Sequence, residues 1–449
     1  MAAWLAAHDT GDAAVEPEAA RARMGLGIYL PRRASDWRRI TERLQMSTSI
    51  RSFCGVGLLA MAMAVGLVAC GGGGGGIGGT GITPQGTVRF AVTDAPACGF
   101  DSVNVTIQKV RVHKDAGAVD ADAGWSEVVV SPAKRVDLLG LTNGVLEELG
   151  QASLPAGKYT QLRLILGAND STTPLANSVL PTGGSETALT TPSGQQSGAK
   201  LNVDIDVAAG KVADFVLDFD ACKSVVTRGN SGGYNLKPVI QFIARLSDAG
   251  MRVVGYVDPS IARTATTVSV QLDGLLVKST PPDATGKFVL YPVPAGTYDL
   301  VVTSPGHATA VMTGVPVITT AVTTVNPLSA PIVLPASLSR TASGNVTSAG
   351  SAAIPDATVR ATQTSASTKF EAFARAVDAG TGAYTASLPA AAPLKTAFVA
   401  GATSLSFVAD STASGKYALE VIVPGKATQS AAINLSANDA VTSFVFTLP

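Results

Sequence analysis

Five aspartates crowd one short stretch of the chain, "LNVDIDVAAGKVADFVLDFDAC": Asp204, Asp206, Asp214, Asp218 and Asp220. Read as a hairpin, Val207 and Lys211 close a three-residue loop with Gly210 at its left-handed position. Ile205 then pairs with Ala213, Val203 with Phe215 and Leu201 with Leu217, on one apolar face. Asp204 falls opposite Asp214, and all five carboxylates share the other face. Carboxylates so placed repel one another unless solvated or bridged by a cation. Calcium, which takes six to eight oxygen ligands, is the cofactor such a face would hold. The plainer reading is a solvated outer face that blocks edge-to-edge pairing.

Other chemistry is sparse. A His-assisted nucleophile needs a histidine beside a serine or cysteine. Past residue 70 the chain offers His113, at the end of a strand, and His307, in a Pro-Gly turn. There is no HExxH, no CxxC and no phosphate-cradling loop with its lysine. No catalytic residue is expected. A hydrolase reading would have to invoke Asp94 in "TDAP" or the Asp218/Asp220 pair, and nothing marks a cleft around them.

The four cysteines divide by context. An uncharged run, 56–69, is shorter than the roughly 20 residues that span a bilayer and suits a secretory signal. Arg51 supplies the upstream charge and Met46 a start, so Cys54 would leave with the signal. The run ends in "LVAC", followed by six glycines. "LVAC" resembles the lipobox of bacterial lipoproteins. The resemblance implies cleavage before Cys70, diacylation of its thiol and anchoring to a membrane through lipid. Gly71, where retained lipoproteins carry Asp, resembles sorting to the outer membrane. Cys98 and Cys222 then form an even pair in an oxidising compartment, and a disulfide between them is expected. Residues 1–45, arginine-rich and upstream of a complete signal, read as a gene-model extension without order. Residues 46–69 read as the signal, and 70–84 as lipidated cysteine and flexible tether.

Lys+Arg and Asp+Glu are equal at 33 each, and removal of the first 69 residues leaves 25 basic against 27 acidic. No polybasic surface exists, so nucleic acid is not an expected partner. Charged residues make up 15% and aromatics 5%, with abundant Gly, Ala, Thr, Ser and Val, which points to several short-stranded β domains. "TVRFAVTDAP" alternates with Val88, Phe90 and Val92 on one face. "SVNVTIQKVRVH" shifts phase near Lys109, predicting a bulge. "LTNGVLEELG" fits a short helix or turn, and 169–200 a long loop.

Between Val92 and Ile240, "VTDAP", "VNVTIQKVRVH", "LPAGKYTQLRLIL", "TPSGQQSGAKL", "DFDACKSV" and "YNLKPVI" follow in order. Together they resemble the bacterial lipoprotein family of domain of unknown function 4382, which implies a lipid-anchored, β-rich envelope domain and no defined activity. After residue 247, "DATGKFVLYPVPAGTYDLVVTSPGHATAV" resembles the carboxypeptidase regulatory-like, prealbumin-like β-sandwich. A second copy repeats it: Tyr298, Pro305 and Thr309 align on Tyr417, Pro424 and Thr428, and Phe288 on Tyr384, with 23 extra residues in the second copy.

The expected fold is all-β: a sandwich-like domain over 85–246, then prealbumin-like sandwiches over 249–334 and 337–449. The expected function is a non-catalytic outer-membrane lipoprotein of the cell envelope, displaying β domains to an envelope protein or glycan. The alternative is an extracytoplasmic hydrolase or carbohydrate-binding protein that uses the acidic strand face. A single tryptophan past residue 70, Trp125, weighs against the carbohydrate reading.

Overall fold

A computed structural model describes residues 83–94, 99–191, 197–261 and 265–447, and all counts here refer to these. The fold is all-β, with several sheets forming successive β domains.

The first domain contains β1 (Gln85–Asp94), β2 (Phe100–His113), β3 (Ser126–Asp137), β4 (Glu147–Pro155), β5 (Gly157–Leu166), β6 (Ser178–Pro181), β7 (Thr187–Thr190), β8 (Ala199–Val207), β9 (Val212–Phe219), β10 (Val225–Thr227), β11 (Tyr234–Leu236) and β12 (Ile240–Ala244). One sheet runs β12-β9-β1-β4, and the other β10-β11-β7-β6-β2-β5-β8 with β3 also on β2. Val88, Phe90, Val103, Ile107, Tyr159, Leu217 and Phe219 lie in the core between them. The register of β2 shifts between Ile107 and Lys109 against both neighbours, at the predicted bulge. "LTNG" follows a 3-10 turn, Leu138–Gly140, and the loop expected over 169–200 contains β6 and β7.

The hairpin of the five aspartates is not formed. β8 pairs with β5 in one sheet, while β9 pairs in parallel with β1 and antiparallel with β12 in the other. The reason is burial. Residues 215–219 of β9 are buried on both faces, so β9 is a central strand that takes a partner on each side. The alternation reading assumed one wet face. Gly210 does adopt the left-handed conformation of the predicted loop, but the chain uses that turn to cross between sheets.

The second domain contains β13 (Arg252–Tyr256), β14 (Thr267–Leu272), β15 (Leu275–Thr280), β16 (Lys287–Leu290), β17 (Gly296–Thr303), β18 (Ala310–Val317) and β19 (Val322–Thr324). The third contains β20 (Ser339–Ser348), β21 (Thr358–Ser365), β22 (Thr368–Ala376), β23 (Ala383–Pro389), β24 (Leu394–Ala397), β25 (Val408–Ala409), β26 (Lys416–Ile422), β27 (Gln429–Asn434), β28 (Ala440–Val441) and β29 (Phe444–Phe446). The two repeat one topology. Sheets β16-β13-β19 and β15-β14-β17-β18 correspond to β23-β20-β28/β29 and β22-β21-β26-β27. Gly255 pairs with Phe288 as Gly344 does with Tyr384.

The extra residues of the second copy have a place of their own. β24 pairs in parallel with β18 and β25 extends it, so the second domain's sheet is completed by the third segment. Leu394, Phe398, Leu405 and Phe407 pack against the second domain's core. The sequence boundary at 337 therefore does not mark the limit of that sandwich.

Candidate functional site

The three domains meet around a cleft of about 320 Å³. The first domain contributes Asp220, Cys222 and Lys223 from a four-residue helix, Ala221–Ser224, and its cap. Asp220 accepts from the Lys223 amide at 3.0 Å, which fixes both side chains at the helix start. The second domain presents Gln271, Leu276 and the turn through His307, and the third presents β22 from Glu371 to Arg375.

A chain of alternating charge starts at the cleft, which Asp220, Lys223 and Glu371 line, and runs on into the third domain. Lys223 Nζ lies 2.9 Å from Asp220 Oδ2 and 3.7 Å from Glu371 Oε1. Arg360 Nε lies 3.2 Å from Glu371 Oε2 and 3.4 Å from Glu420 Oε2, and Lys369 Nζ lies 2.6 Å from Glu420 Oε1. Arg360 also donates to the carbonyl of Gly274 in the second domain. Burial pulls the Lys223 ammonium down, but Asp220 and Glu371 hold it above its ordinary range. Burial pushes the Glu371 carboxyl up against the opposing pull of Lys223 and Arg360. For Glu420 the same penalty is outweighed by Lys369 and Arg360, and its pKa falls.

Two further contacts join the first domain to the others. Lys278 of β15 is ion-paired with Asp218 of β9, and both side chains are nearly inaccessible. Asp378 Oδ2 accepts from Thr227 Oγ1 at 2.7 Å and from the Gly229 amide at 2.8 Å.

The five aspartates are thus dispersed. Asp204 and Asp206 are exposed on β8, with Lys158 Nζ 3.3 Å from Asp204. Asp214 is held by Arg245 at 2.7 Å and Arg89 at 3.4 Å. Asp218 and Asp220 face the domain junction with their own lysines. The shared calcium face is therefore corrected: its strands lie in different sheets. Among the described residues no group of three or more His, Cys, Asp or Glu is arranged to hold a metal. Asp94 is buried, its Oδ1 accepting from the Ala221 amide at 3.1 Å. Cys222 is disulfide-bonded, whereas Cys70 and Cys98 lie outside the described residues. His113 Nε2 lies 2.9 Å from the Ala123 carbonyl, and Arg111 and Arg163 lie over the Trp125 ring at 4.6 and 4.8 Å.

The sequence reading missed Lys223, Lys278, Arg360, Glu371 and Glu420. For Lys278 and Arg360 the visible signal is a lone charge inside an otherwise apolar or small-residue strand, as in "LLVKST" and "TVRATQ". Such a charge needs a buried partner.

The motifs that bring Asp220, Cys222 and Lys223 to the junction belong to a segment with relatives. Residues 85–238 match the family model described as domain of unknown function (DUF4382). The chain contains a DUF4382 domain. Asp218 and Thr227 also fall inside it, so each contact of the first domain described above has a DUF4382 side. No curated protein matches the chain. Among solved structures, a type II cohesin–X-dockerin complex from Acetivibrio cellulolyticus is 26% identical over 20% of this chain and 59% of that one, with a TM-score of 0.17. The Bacillus anthracis TIE protein is 12% identical over 81% and 51%, with a TM-score of 0.17, and a streptococcal ancillary pilin 10% identical over 80% and 98%, with a TM-score of 0.15. This chain spans about three fifths of the first and half of the second. TM-scores this low support no inference about shared function.

Proposed function

We propose that the chain is a non-catalytic, lipid-anchored protein of the bacterial cell envelope whose β domains are clamped into one binding body. The observation that carries this reading is the charge chain at the cleft. Glycoside hydrolysis places two carboxylates across the substrate, one protonated and one ionised. Asp220 and Glu371 instead share one lysine, Lys223, and Glu371 also meets Arg360. Glu371 joins the third domain to the first through Lys223, and Asp220 fixes that lysine in place. The Cys98–Cys222 disulfide belongs to the same reading, as a covalent tie between the segment after β1 and the junction helix. So does the assignment of the two sandwiches as carboxypeptidase regulatory-like domains, which support rather than catalyse.

Anchoring rests on "LVAC" and the hexaglycine after it. Two or three acyl chains at Cys70 hold a protein firmly where one is marginal, and glycine runs let the domains stand off the outer membrane. The partner is another envelope protein or a glycan. Cells producing the full chain should incorporate a labelled palmitate analogue, and Cys70→Ser should lose the label. Label that persists in the variant, or is missing from the wild type, removes the anchor. Hydrolysis of an envelope polymer that Glu371→Gln abolishes would remove the non-catalytic part.

A further inference from the structure

β22 lies at the edge of its sheet: β21 pairs with one side and, among the described residues, no strand pairs with the other. Where that edge meets the second domain, Gln271 Nε2 donates to the Glu371 carbonyl at 2.9 Å, and the Glu371 amide donates to Gln271 Oε1 at 2.7 Å. These are the two bonds a neighbouring strand would make. Both main-chain groups of Glu371 therefore point away from β21. The register then sets Phe373 opposite Ala361 and Ala374 opposite Arg360, with Ala372 as the extra residue of a bulge. Alternation in an antiparallel pair turns the main chain of Ala374 outward too. Ala372 to Arg375 line the cleft, which falls within the size range of ligand sites and lies at a domain junction, where such sites occur.

We infer that this cleft binds an extended, uncharged segment of another polypeptide, which adds to β22 as its next strand. The inference rests on the binding reading above and names the partner's chemistry. Beyond Glu371, whose own groups Gln271 already takes, an unpaired edge offers N–H and C=O groups at the spacing of a second main chain. The cleft lining also includes Thr303, Ser339 and Ser387, small neutral side chains that leave room for a strand. The full charges that line the cleft cancel, Asp220 and Glu371 against Lys223 and Arg375, so a neutral segment matches it. A sugar would require an exposed aromatic face, whereas Phe373 packs on its own domain's core.

The test uses the full chain in detergent with a neutral β-prone probe, acetyl-Thr-Val-Thr-Val-Thr-Val-amide, and the same peptide N-methylated at alternate residues. Saturable binding of the first is expected, weakened at least tenfold by N-methylation. Ala374→Pro removes one outward N–H at an edge, where proline is tolerated, and should weaken binding similarly. Thr303→Trp, which fills the cleft from the second domain, checks the site independently should the proline variant misfold. No saturable binding, equal affinity for the methylated peptide, or full binding by both variants would overturn the inference. Oligosaccharide binding that Thr303→Trp blocks would also overturn it, while leaving the binding reading intact. Loss of the palmitate label with peptide binding retained would remove the anchor alone.

Discussion

Lys278 and Asp218 show what a single pair at a domain boundary does. Each charge sits where water barely reaches, with side-chain exposures of 2% and 5%. Burial pushes the Asp218 carboxyl up despite Lys278, so charging it in the folded state is unfavourable compared with the unfolded chain. A raised carboxyl contributes stability below its unfolded pKa and loses it as pH rises through the folded value. Removing one partner leaves a bare buried charge. Lys278→Met should cost about 3–5 kcal/mol by denaturant unfolding at neutral pH. The cost should shrink on acidification as Asp218 takes up a proton. Joint replacement, Asp218→Leu with Lys278→Met, should recover most of the loss, because an apolar pair of similar volume is often neutral. A double variant as weak as the single one would show that the pair is needed for more than charge neutrality.

At the scale of elements, the two sandwiches reuse one device. Gly286 and Gly382 occupy equivalent turns with φ of +79° and +69°. A Cβ there would lie 2.0 Å from the Val257 carbonyl oxygen and 2.2 Å from that of Val346. The turn packs directly on the opening strand of its own domain, or on the residue just after it, which only glycine permits. Gly382→Ala should destabilise the third domain by about 1–3 kcal/mol from backbone strain alone, with the clash adding to it. A melting temperature within error of the wild type would show that the turn relaxes freely. The β24–β25 segment acts across domains instead. Replacing 394–409 by a short polar linker should uncover the core beside Phe398 and Phe407. Increased binding of a hydrophobic dye, with loss of protection in β18 by hydrogen exchange, is the expected result.

For the whole molecule, acid is the informative variable. Asp378 receives hydrogen bonds from Thr227 and Gly229 of the first domain, and from Thr381 of its own. Its carboxyl is subject to an upward pull from burial, but these bonds hold it down at about 2. A depressed carboxyl contributes stability above its unfolded value, and that contribution is lost as pH falls through the folded one. The contact between first and third domains should therefore weaken between about pH 4 and pH 2. Comparing thermal melts of the wild type and Asp378→Ala should show a gap at pH 5 that closes near pH 2. A gap unchanged across that range would exclude Asp378 as the acid-sensitive link. The contribution is modest, because the carboxyl is partly exposed and screened by solvent.

The sequence by itself determined whatever depends on local period and turn chemistry. Alternation in β2 revealed the strand and a bulge near Lys109, which the structure places at Gln108, because a two-residue period records one buried face and its interruption. The offset between Phe288 and Tyr384 revealed a repeat, because each sits opposite a glycine on the opening strand of its domain. Only the tertiary structure decided which strands pair. β9 leaves β8 for β1, more than a hundred residues away in the chain, because both its faces are buried, and period-two reasoning cannot register a second buried face. The same holds for the cleft. Arg360 and Glu371 are neighbours on the β21–β22 hairpin, but Lys223 stands far from both in sequence and reads as the lone charge of its own short helix. Their meeting is fixed by how the domains pack, since a buried charge is satisfied by whatever the fold brings within reach, not by a neighbour in the chain.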